Sequence, residues 1–386
     1  MSPISQTPVV YDMTSDTATI PTDDMFDIMK AASRGDDVYM NYTNIKNDQS
    51  IHELEAYMAN LLGHEAALYC VSGCMTNQIG LRLLLTQPPH SVLCDARSHV
   101  HVNECGGIAY HSQASVSLVT AKNGIYMTAE EVEDNIITDE LTGAPTKVIS
   151  LENTLNGMIM PLEEMQKIHA VARSHGLKMH LDGARLFNAS QATKTPLHEY
   201  GKLFDTVSIC LSKGVGAPIG SILIGNKALI QKARHLRKLM GGGWRQAGML
   251  AAVALHCVQN IVPTMPETHR LASSLAQELE QLGVRLAIPC HTNMIFLDLA
   301  PVGLVVQDLA DELQKHHIII ASNPGTVVRV ALHYQISEQA VKDFIRVIKD
   351  MIHAKVKSGF VPTTTMTEST NLKSAYPSVK KRRIAA

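Results

Sequence analysis

Short apolar runs alternate with segments of helical periodicity from about Thr22 to about Pro263, and this alternation limits the possible folds more than any other feature. Parallel neighbouring strands need a crossover connection, usually a helix, so the pattern predicts a mostly parallel α/β sheet. The runs predicted to be strands are Ala67–Val71, Ser91–Cys94, Ser115–Thr120, Lys147–Leu151, Leu177–Leu181, Thr206–Leu211 and Ser221–Ile224. Ligands bind such sheets beyond the carboxyl ends of the strands, so polar residues there are candidates for a functional site.

Pro263 and Pro266 mark a change of pattern. A helix at about 267–282 and strands at 294–297 and 327–332 indicate a smaller C-terminal α/β domain. The predicted organisation is an N-terminal arm (1–22), a large domain (23–263), the small domain (264–358) and a disordered tail (359–386). We interpret the basic cluster at 380–383 as solvated sequence rather than a nuclear signal.

Two candidate catalytic residues follow predicted strands. Lys213 lies among small residues that leave room for a flat cofactor, and partial desolvation there would favour the neutral amine that attacks a carbonyl. Asp182 ends an earlier apolar run, where its carboxylate could pair with the nitrogen of a pyridine ring. This order indicates a pyridoxal phosphate (PLP) site in which Lys213 forms the Schiff base. The structural alternatives are a solvated lysine and a salt bridge between Asp182 and Arg185.

Other residues near these strands suit the charged groups of a cofactor and its substrate. Arg185 offers a planar guanidinium for a substrate carboxylate. Gly73 and Cys74 open an apolar-periodic helix, and the free amides at such a helix start bind anions, which predicts a phosphate site. An ordinary N-cap at Ser72 is the alternative interpretation of this turn.

Six motifs occur in the order found in low-specificity threonine aldolases, and the chain resembles that family from about Ser15 to about His353. The motifs are Ser15–Thr22, Gly35–Tyr39, Leu151–Thr154, Asp182–Arg185, Leu211–Gly214 and Gly241–Gln246. The resemblance implies a fold-type-I PLP-dependent enzyme with a mostly parallel seven-stranded sheet in the large domain and a smaller C-terminal α/β domain. It also implies a small amino-acid substrate and a homodimer or homotetramer with shared active sites.

Carried over onto this sequence, the resemblance implies how the cofactor is held. Lys213 forms the Schiff base and Asp182 is the partner of the ring nitrogen. His99 stacks on the ring and serves as a base, although a hydrogen-bonded structural histidine is the alternative. Gly73 and Cys74 hold the phosphate.

The resemblance also implies how the substrate is bound and cleaved. Ser15, Arg185 and Arg329 bind the substrate carboxylate, while Arg245 reaches a phosphate across the subunit boundary. The implied reaction is the cleavage of L-threonine or L-allo-threonine to glycine and acetaldehyde.

Several positions depart from the usual pattern of the family. Cys74 stands where a threonine is usual, and Thr14 stands where an arginine is usual. The segment Met40–Gln49 differs in length and charge from the usual loop near the cleft. Leu155 replaces a histidine that contacts the substrate hydroxyl, so removal of the hydroxyl proton would rest on His99 or on a water that it orients.

These departures keep two other functions open. An alanine racemase of the same fungal branch would break only the Cα–H bond and would need a proton acceptor on each face of the substrate, but no hydroxyl base. Lys213 could serve one face, and His99, Tyr39, Tyr42 or a water the other. A catalytically silent binding protein is the remaining alternative, and the joint presence of the candidate site residues argues against it.

Composition indicates the partners and the compartment. The chain has 34 basic and 36 acidic residues, a balance that favours neither nucleic acid nor an anionic membrane. No apolar stretch approaches the roughly 20 residues of a membrane span. The odd set of seven cysteines, mostly in apolar contexts and without a preceding secretory signal, predicts reduced, buried thiols in a cytoplasmic protein. Histidine pairs such as His99 and His101 have no cysteine or carboxylate at ligand spacing, so we predict no metal site.

Overall fold

The computed structural model describes residues 9–38 and 48–362. Its contacts divide the chain into two compact units, a large unit of Thr19–Pro263 and a small unit of Met1–Ala18 with Thr264–Ala386. Within the described residues, 9–18 belong to the same unit as the C-terminal sequence. Tyr39, Tyr42, most of the departing loop 40–49 and the tail beyond residue 362 lie outside the described residues.

The strands and helices are numbered in chain order. The strands are β1 (Tyr11–Asp12), β2 (Ala66–Cys70), β3 (Ser91–Asp95), β4 (Ser115–Val119), β5 (Thr146–Glu152), β6 (Lys178–Asp182), β7 (Thr206–Cys210), β8 (Ser221–Gly225), β9 (Arg285–Ile288), β10 (Met294–Asp298), β11 (Ile318–Ile319) and β12 (Val327–Ala331). The helices are α1 (Asp23–Ala31), α2 (Gln49–Leu62), α3 (Gly73–Leu84), α4 (His99–Val102), α5 (Gly107–Ser112), α6 (Ala129–Asp134), α7 (Leu162–Ser174), α8 (Leu186–Thr193), α9 (Leu197–Gly201), α10 (Lys227–Leu239), α11 (Gly248–Asn260), α12 (Met265–Gln281), α13 (Val306–Gln314) and α14 (Glu338–Lys357).

The large unit is built on a seven-stranded sheet with the strand order β2-β8-β7-β6-β5-β3-β4. Strands β3 to β7 are parallel, whereas β8 runs antiparallel to both of its neighbours. The prediction of a mostly parallel seven-stranded sheet is confirmed. The register places Glu152 opposite Asp182, so the last residues of β5 and β6 lie side by side.

Burial on both faces explains the composition of the central strands. Every residue of β3, β7 and β8 is buried, and these strands read as nearly continuous apolar runs, as expected of a sheet covered by helices. Leu68 of β2 and Leu223 of β8 pack in one cluster with Ile79 of α3 and Ile230 of α10. Helix α3, which carries the predicted phosphate site, is thus fixed to the sheet by its apolar face.

The small unit has a separate core. Strands β9, β10 and β12 form a three-stranded antiparallel sheet, and β1 pairs with β11 in parallel. One cluster joins Met13 to Leu275 of α12, Leu309 of α13, Val328 of β12 and Phe344 of α14, each of which is fully buried. The predicted smaller C-terminal α/β domain is confirmed.

One stretch of the chain is longer and more apolar than the sequence analysis predicted. The stretch Gly248–Gln281 is long and apolar enough to cross a membrane by length and composition alone, with a mean hydropathy of 1.3 in its most apolar window. Half of that window is buried inside the protein, and the core helices of many folds pass the same test. The stretch is therefore weak evidence for a membrane span.

The cysteines also differ from the prediction. All seven are free, but not all are buried. Cys70, Cys94, Cys210 and Cys257 are buried, Cys290 is partly exposed, and Cys74 and Cys105 are exposed. The interpretation of buried thiols is wrong for Cys74 and Cys105, because Cys74 lies in the first turn of α3 and Cys105 lies in the turn between α4 and α5.

Candidate active site

The carboxyl ends of β6 and β7 carry the two residues that the sequence singled out first. Asp182 is the last residue of β6 and is buried, with 2% of its surface exposed. Lys213 follows β7 by three residues and is half-buried. The Gly183 amide donates to the Ser208 carbonyl at 2.8 Å and ties the two strand ends together. Because β6 and β7 are parallel neighbours, both residues leave the same edge of the sheet.

The turn that carries Lys213 is closed by backbone hydrogen bonds. The Leu211 amide donates to the Gly220 carbonyl at 3.0 Å, and the Gly216 amide donates to the Lys213 carbonyl at 2.7 Å. Gly220 has a φ of 113°, and a Cβ there would lie 2.4 Å from the Tyr69 ring. The Lys213 side chain makes no hydrogen bond or ion pair to any residue that the structure describes. The backbone is fixed while the amine remains available.

The N-terminus of α3 has the properties of an anion site. Ser72 is the N-cap, and its Oγ accepts from the Met75 amide at 3.3 Å. Within residues 9–38 and 48–362, the amides of Gly73 and Cys74 donate to no protein group. A Cβ on Gly73 would meet only the Ser221 Oγ at 4.0 Å, so a ligand can approach closely. Free amides at the positive end of a helix dipole bind phosphate.

Asp182 is held by donors on both of its oxygens. The Ala184 amide donates to Oδ1 at 3.0 Å, and Nδ2 of Asn77 donates to Oδ2 at 2.8 Å. Asn77 lies on α3, one turn after the anion site, and is 2% exposed. The Asp182 carboxyl group is therefore fixed in direction within a buried setting.

His99 opens α4 and is held at two points. Its amide donates to Oε2 of Glu152 at 2.8 Å, and its Nδ1 lies 2.8 Å from Oε1 of Glu104. Because a carboxylate only accepts, Nδ1 carries the proton, and Nε2 is the nitrogen left to exchange a proton with a ligand. The hydrogen bond to Glu104 raises the pKa of His99, and the charges of Asp182, Glu104 and Glu152 add to this effect against the burial of the ring.

Four residues that the sequence analysis did not select complete this group: Asn77, Glu104 and His180, which are buried, and Glu152, which is half-buried. Glu104 accepts from His99, from Asn77 at 2.8 Å and from Gln78 at 2.6 Å. Strand periodicity could have identified His180, because it lies two residues before Asp182 and so shares its face of β6. Glu104 was not identifiable in this way, because it lies outside regular secondary structure and two of its three partners come from α3.

Burial sets the charge state of two of these residues. Burial raises the pKa of Glu152, and the neighbouring Asp182 charge adds to the rise, while the His99 amide and the charges of His99 and Lys213 oppose it. Burial lowers the pKa of His180 to about 4, so its ring is neutral at physiological pH. The Glu152 carboxyl therefore favours its protonated form more than a solvated glutamate does, and it lies next to the Asp182 carboxylate, which is hydrogen-bonded at both oxygens.

The remaining predicted residues of the large unit lie at its surface or at a helix end. Arg185 is half-buried at the N-cap of α8. Arg245 is 49% exposed and pairs with Asp36, with Nη1 and Oδ2 3.1 Å apart. The structure thus places the Arg245 guanidinium in an exposed ion pair of its own chain.

Ser15 and Arg329 belong to the small unit. Nη2 of Arg329 donates to the Thr14 carbonyl at 2.9 Å, and Oγ1 of Thr17 donates to Oγ of Ser15 at 2.9 Å. The first contact places Arg329 next to Thr14, which precedes Ser15 in the chain. Their predicted role in binding a substrate carboxylate stays a prediction.

The prediction that His99 has no cysteine or carboxylate nearby is wrong. One potential ligand atom each of Cys74, His99 and Glu104 lies within 4.8 Å of the others. Both Glu104 oxygens and Nδ1 of His99 are already hydrogen-bonded, however. The pKa of Cys74 is raised to about 11 by partial burial and by the charges of Glu104 and Asp182, so its thiol is protonated at neutral pH. These contacts suit an organic ligand better than a metal ion.

Three groups in the large unit match the parts of PLP. The Gly73 and Cys74 amides suit the phosphate, the buried Asp182 carboxylate suits the ring nitrogen, and the unpaired Lys213 amine suits the aldehyde. The positive charge of Lys213 acts on both Cys74 and Glu152, which places the amine in the same electrostatic environment as the other groups. The residues present therefore fit the cofactor.

Comparisons with known proteins agree with this geometry. The family model for beta-eliminating lyases matches residues 12–301. A low-specificity L-threonine aldolase of Eremothecium gossypii is 42% identical over 361 residues, which cover 93% of this chain and 92% of the relative. The alanine racemase TOXG of Cochliobolus carbonum is 33% identical and covers 89% of this chain and 88% of its own length.

A solved structure shares the fold. The threonine aldolase of Leishmania major superposes with a TM-score of 0.75 at 21% identity, over 89% of this chain and 99% of that protein. At this identity the likeness concerns the architecture alone. The likeness supports the assignment of the chain to the fold-type-I architecture.

Proposed function

This chain belongs to the beta-eliminating lyase family, and within it we propose that the protein is a PLP-dependent aldolase that cleaves L-threonine or L-allo-threonine to glycine and acetaldehyde. The observation that carries the proposal is the unpaired, half-buried Lys213 at the sheet edge that also holds Asp182. Relatives that are 42% identical over most of both chains and are named low-specificity L-threonine aldolases supply the substrate class.

The cofactor would be held by groups already described. Gly73 and Cys74 bind its phosphate, Asp182 its ring nitrogen and Lys213 its aldehyde carbon. When bound, PLP supplies an electron-withdrawing ring that stabilises negative charge at the substrate α-carbon. Asp182 strengthens this effect because a fixed carboxylate favours a protonated ring nitrogen.

His99 is proposed as the base for the substrate hydroxyl. Cleavage of the Cα–Cβ bond requires that hydroxyl to lose its proton, and Nε2 of His99 accepts it. Glu104 then stabilises the imidazolium through the bond at Nδ1. Leu155 offers no alternative, because its side chain is apolar and 5% exposed. Proton removal at the hydroxyl therefore depends on His99 within the part of the chain that the structure describes.

Alanine racemisation is the second candidate. The observation in its favour is Leu155, because a racemase breaks only a Cα–H bond and needs no hydroxyl base. The 33% identity with the alanine racemase TOXG supports it, although the relatives named as aldolases are more similar. This candidate uses the same cofactor site and differs only in the bond that is broken.

The proposal extends to a homodimer or homotetramer in the cytoplasm. Phe26 of α1 is 49% exposed and Met249 of α11 is 39% exposed, and these two helices pack on each other. An apolar face of this kind is typical of a subunit interface. The exposed position of Arg245 supports its proposed reach to a phosphate of the partner subunit. The seven free cysteines support a reducing compartment.

One experiment in deuterated water tests the reaction. The purified PLP-loaded protein is incubated with L-threonine and, separately, with L-alanine. Formation of acetaldehyde and glycine in the incubation with L-threonine supports the aldolase. Formation of D-alanine deuterated at Cα in the incubation with L-alanine supports the racemase. Absence of all these products would refute both substrate assignments, and absence of the bound cofactor's visible absorbance would refute the cofactor site.

Two lysine variants control the assignment of Lys213. Lys213→Ala should abolish turnover and the absorbance of the lysine–pyridoxal linkage. Lys178→Ala removes an exposed lysine of β6 that pairs with Asp205 at 3.0 Å, and it should leave both unchanged. Turnover that survives in Lys213→Ala would contradict the proposal.

A further inference from the structure

The side chain of Asn77 lies among buried polar groups, and both its nitrogen and its oxygen have partners there. Nδ2 donates to Asp182 Oδ2 and to Glu104 Oε1, each at 2.8 Å. Oδ1 lies 3.1 Å from Nε2 of His180. An amide has two N–H donors and one carbonyl acceptor, so each part of this one has a partner.

The two carboxylates fix the direction of that amide, and the amide in turn fixes the tautomer of His180. The Asn77 carbonyl only accepts, so His180 donates from Nε2, and its Nδ1 then accepts from the Thr206 hydroxyl at 2.9 Å. Turning the amide over would point its oxygen at two carboxylate oxygens, which are acceptors themselves. Only one orientation is therefore compatible with the surroundings.

The two carboxylates that Asn77 joins belong to the two halves of the proposed chemistry. Asp182 is the partner of the cofactor ring nitrogen, and Glu104 orients His99. Both accepting oxygens lie 2.8 Å from the same nitrogen, so they are separated by no more than twice that distance. Two buried carboxylates this close repel each other strongly unless donors stand between them.

From this arrangement we infer that Asn77 is a positioning residue that couples the ring-nitrogen partner Asp182 to the His99–Glu104 pair. The inference rests on the proposed PLP-dependent function. It follows that loss of the amide should disturb both cofactor retention and the pH dependence of proton transfer. Loss of a residue that donates to only one of the two carboxylates should change only one of these two properties.

Gln78 provides the matched control. Its Nε2 donates to Glu104 Oε2 at 2.6 Å, and its side chain makes no hydrogen bond to Asp182. Gln78 is also buried on α3, next to Asn77. Asn77→Ala and Gln78→Ala therefore each remove one donor from Glu104, but only the first removes a donor from Asp182.

The test measures retention of PLP on dialysis and the pH profiles of kcat and of kcat/KM for L-threonine, with the thermal midpoint as a folding control. Asn77→Ala should lower kcat about tenfold to hundredfold, because a hydrogen bond to a charged group is lost, and should weaken PLP retention. Gln78→Ala should retain PLP like the wild type. Equal PLP retention in the two variants would overturn the inference. Wild-type protein without PLP or turnover would instead refute the proposed function.

A third variant keeps the inference testable if Asn77→Ala folds poorly. Asn77→Asp preserves the shape and adds a third carboxylate, which recovers one donor only when it is protonated. The ratio of its activity to that of the wild type should rise as the pH falls. A ratio that does not change with pH would show that Asn77 has only a packing role.

Discussion

Replacing Glu104 with glutamine tests how the protein sets the basicity of His99. The Glu104 side chain is 1% exposed and accepts from Nδ1 of His99 at 2.8 Å. Glutamine keeps an acceptor at this place but removes the charge. Gln78, whose Oε1 has no partner among the described residues, can turn its amide to accommodate the new N–H group. The fold should therefore survive the change.

The magnitude follows from the difference between a charge-assisted and a neutral hydrogen bond. Such bonds differ by about 1 to 1.5 kcal/mol, and we take the lower end because the His99 ring is 37% exposed and solvent screens part of the interaction. A difference of about 1 kcal/mol corresponds to somewhat less than one pKa unit. It also corresponds to about fivefold in rate if the imidazolium forms in the rate-limiting step.

The direction of the shift is fixed by the role of His99 as a base. Glu104 raises the pKa of His99, so the neutral ring appears only as the pH rises through that raised pKa. In Glu104→Gln the acidic limb of the kcat/KM profile should move to lower pH by just under one unit, and the plateau should fall about fivefold. The assay is acetaldehyde release from L-threonine across the pH range.

Glu131→Gln is the matched control for this measurement. Glu131 is a buried glutamate that completes the capping box of α6, where it accepts from the amides of Lys122 and Thr128. Its substitution should cost about 1 kcal/mol of stability and leave the pH profile unchanged. An acidic limb that is the same in Glu104→Gln and in the wild type would refute the reasoning about His99.

Two further predictions concern assembly and stability. If Arg245 acts in the partner's active site, mixing inactive Lys213→Ala and Arg245→Ala subunits should restore activity to roughly a quarter of the sites. Absence of recovery after verified subunit exchange would contradict an active site shared between subunits. Asp37→Asn should lower the free energy of unfolding in urea by about 3 kcal/mol, because it leaves the buried Arg237 guanidinium without its counter-charge. Glu267→Gln, at an exposed ion pair, should cost far less, and equal losses would argue against a buried pair.

Features that depend on local pattern were predictable from the sequence. The apolar runs located the strands of the large sheet to within one or two residues, and the residues after two of those runs were Asp182 and Lys213. Gly73 was identifiable because a small residue followed an N-cap at the start of an apolar-periodic helix. Each of these depends on neighbours within a few positions in the chain.

Features that depend on packing between distant segments were not predictable. Asn77 and Asp182 are 105 residues apart, and Asn77 and Glu104 are 27 residues apart, so neither contact leaves a local pattern. The antiparallel direction of β8 was missed for a similar reason, because an apolar run fits either direction in a buried sheet. The exposure of Cys74 likewise depends on what packs around the start of α3.

The antiparallel pairing of β7 with β8 has a consequence for how the active site forms during folding. Residues 210 and 221 are partners across this pair, so the turn with Lys213 closes a short loop at a small entropic cost. The bridge from Asn77 to Asp182 instead closes a loop of 105 residues and must wait for the intervening strands. We expect the lysine turn to assemble early and the carboxylate bridge late, so that tight cofactor uptake during refolding reports completion of the sheet.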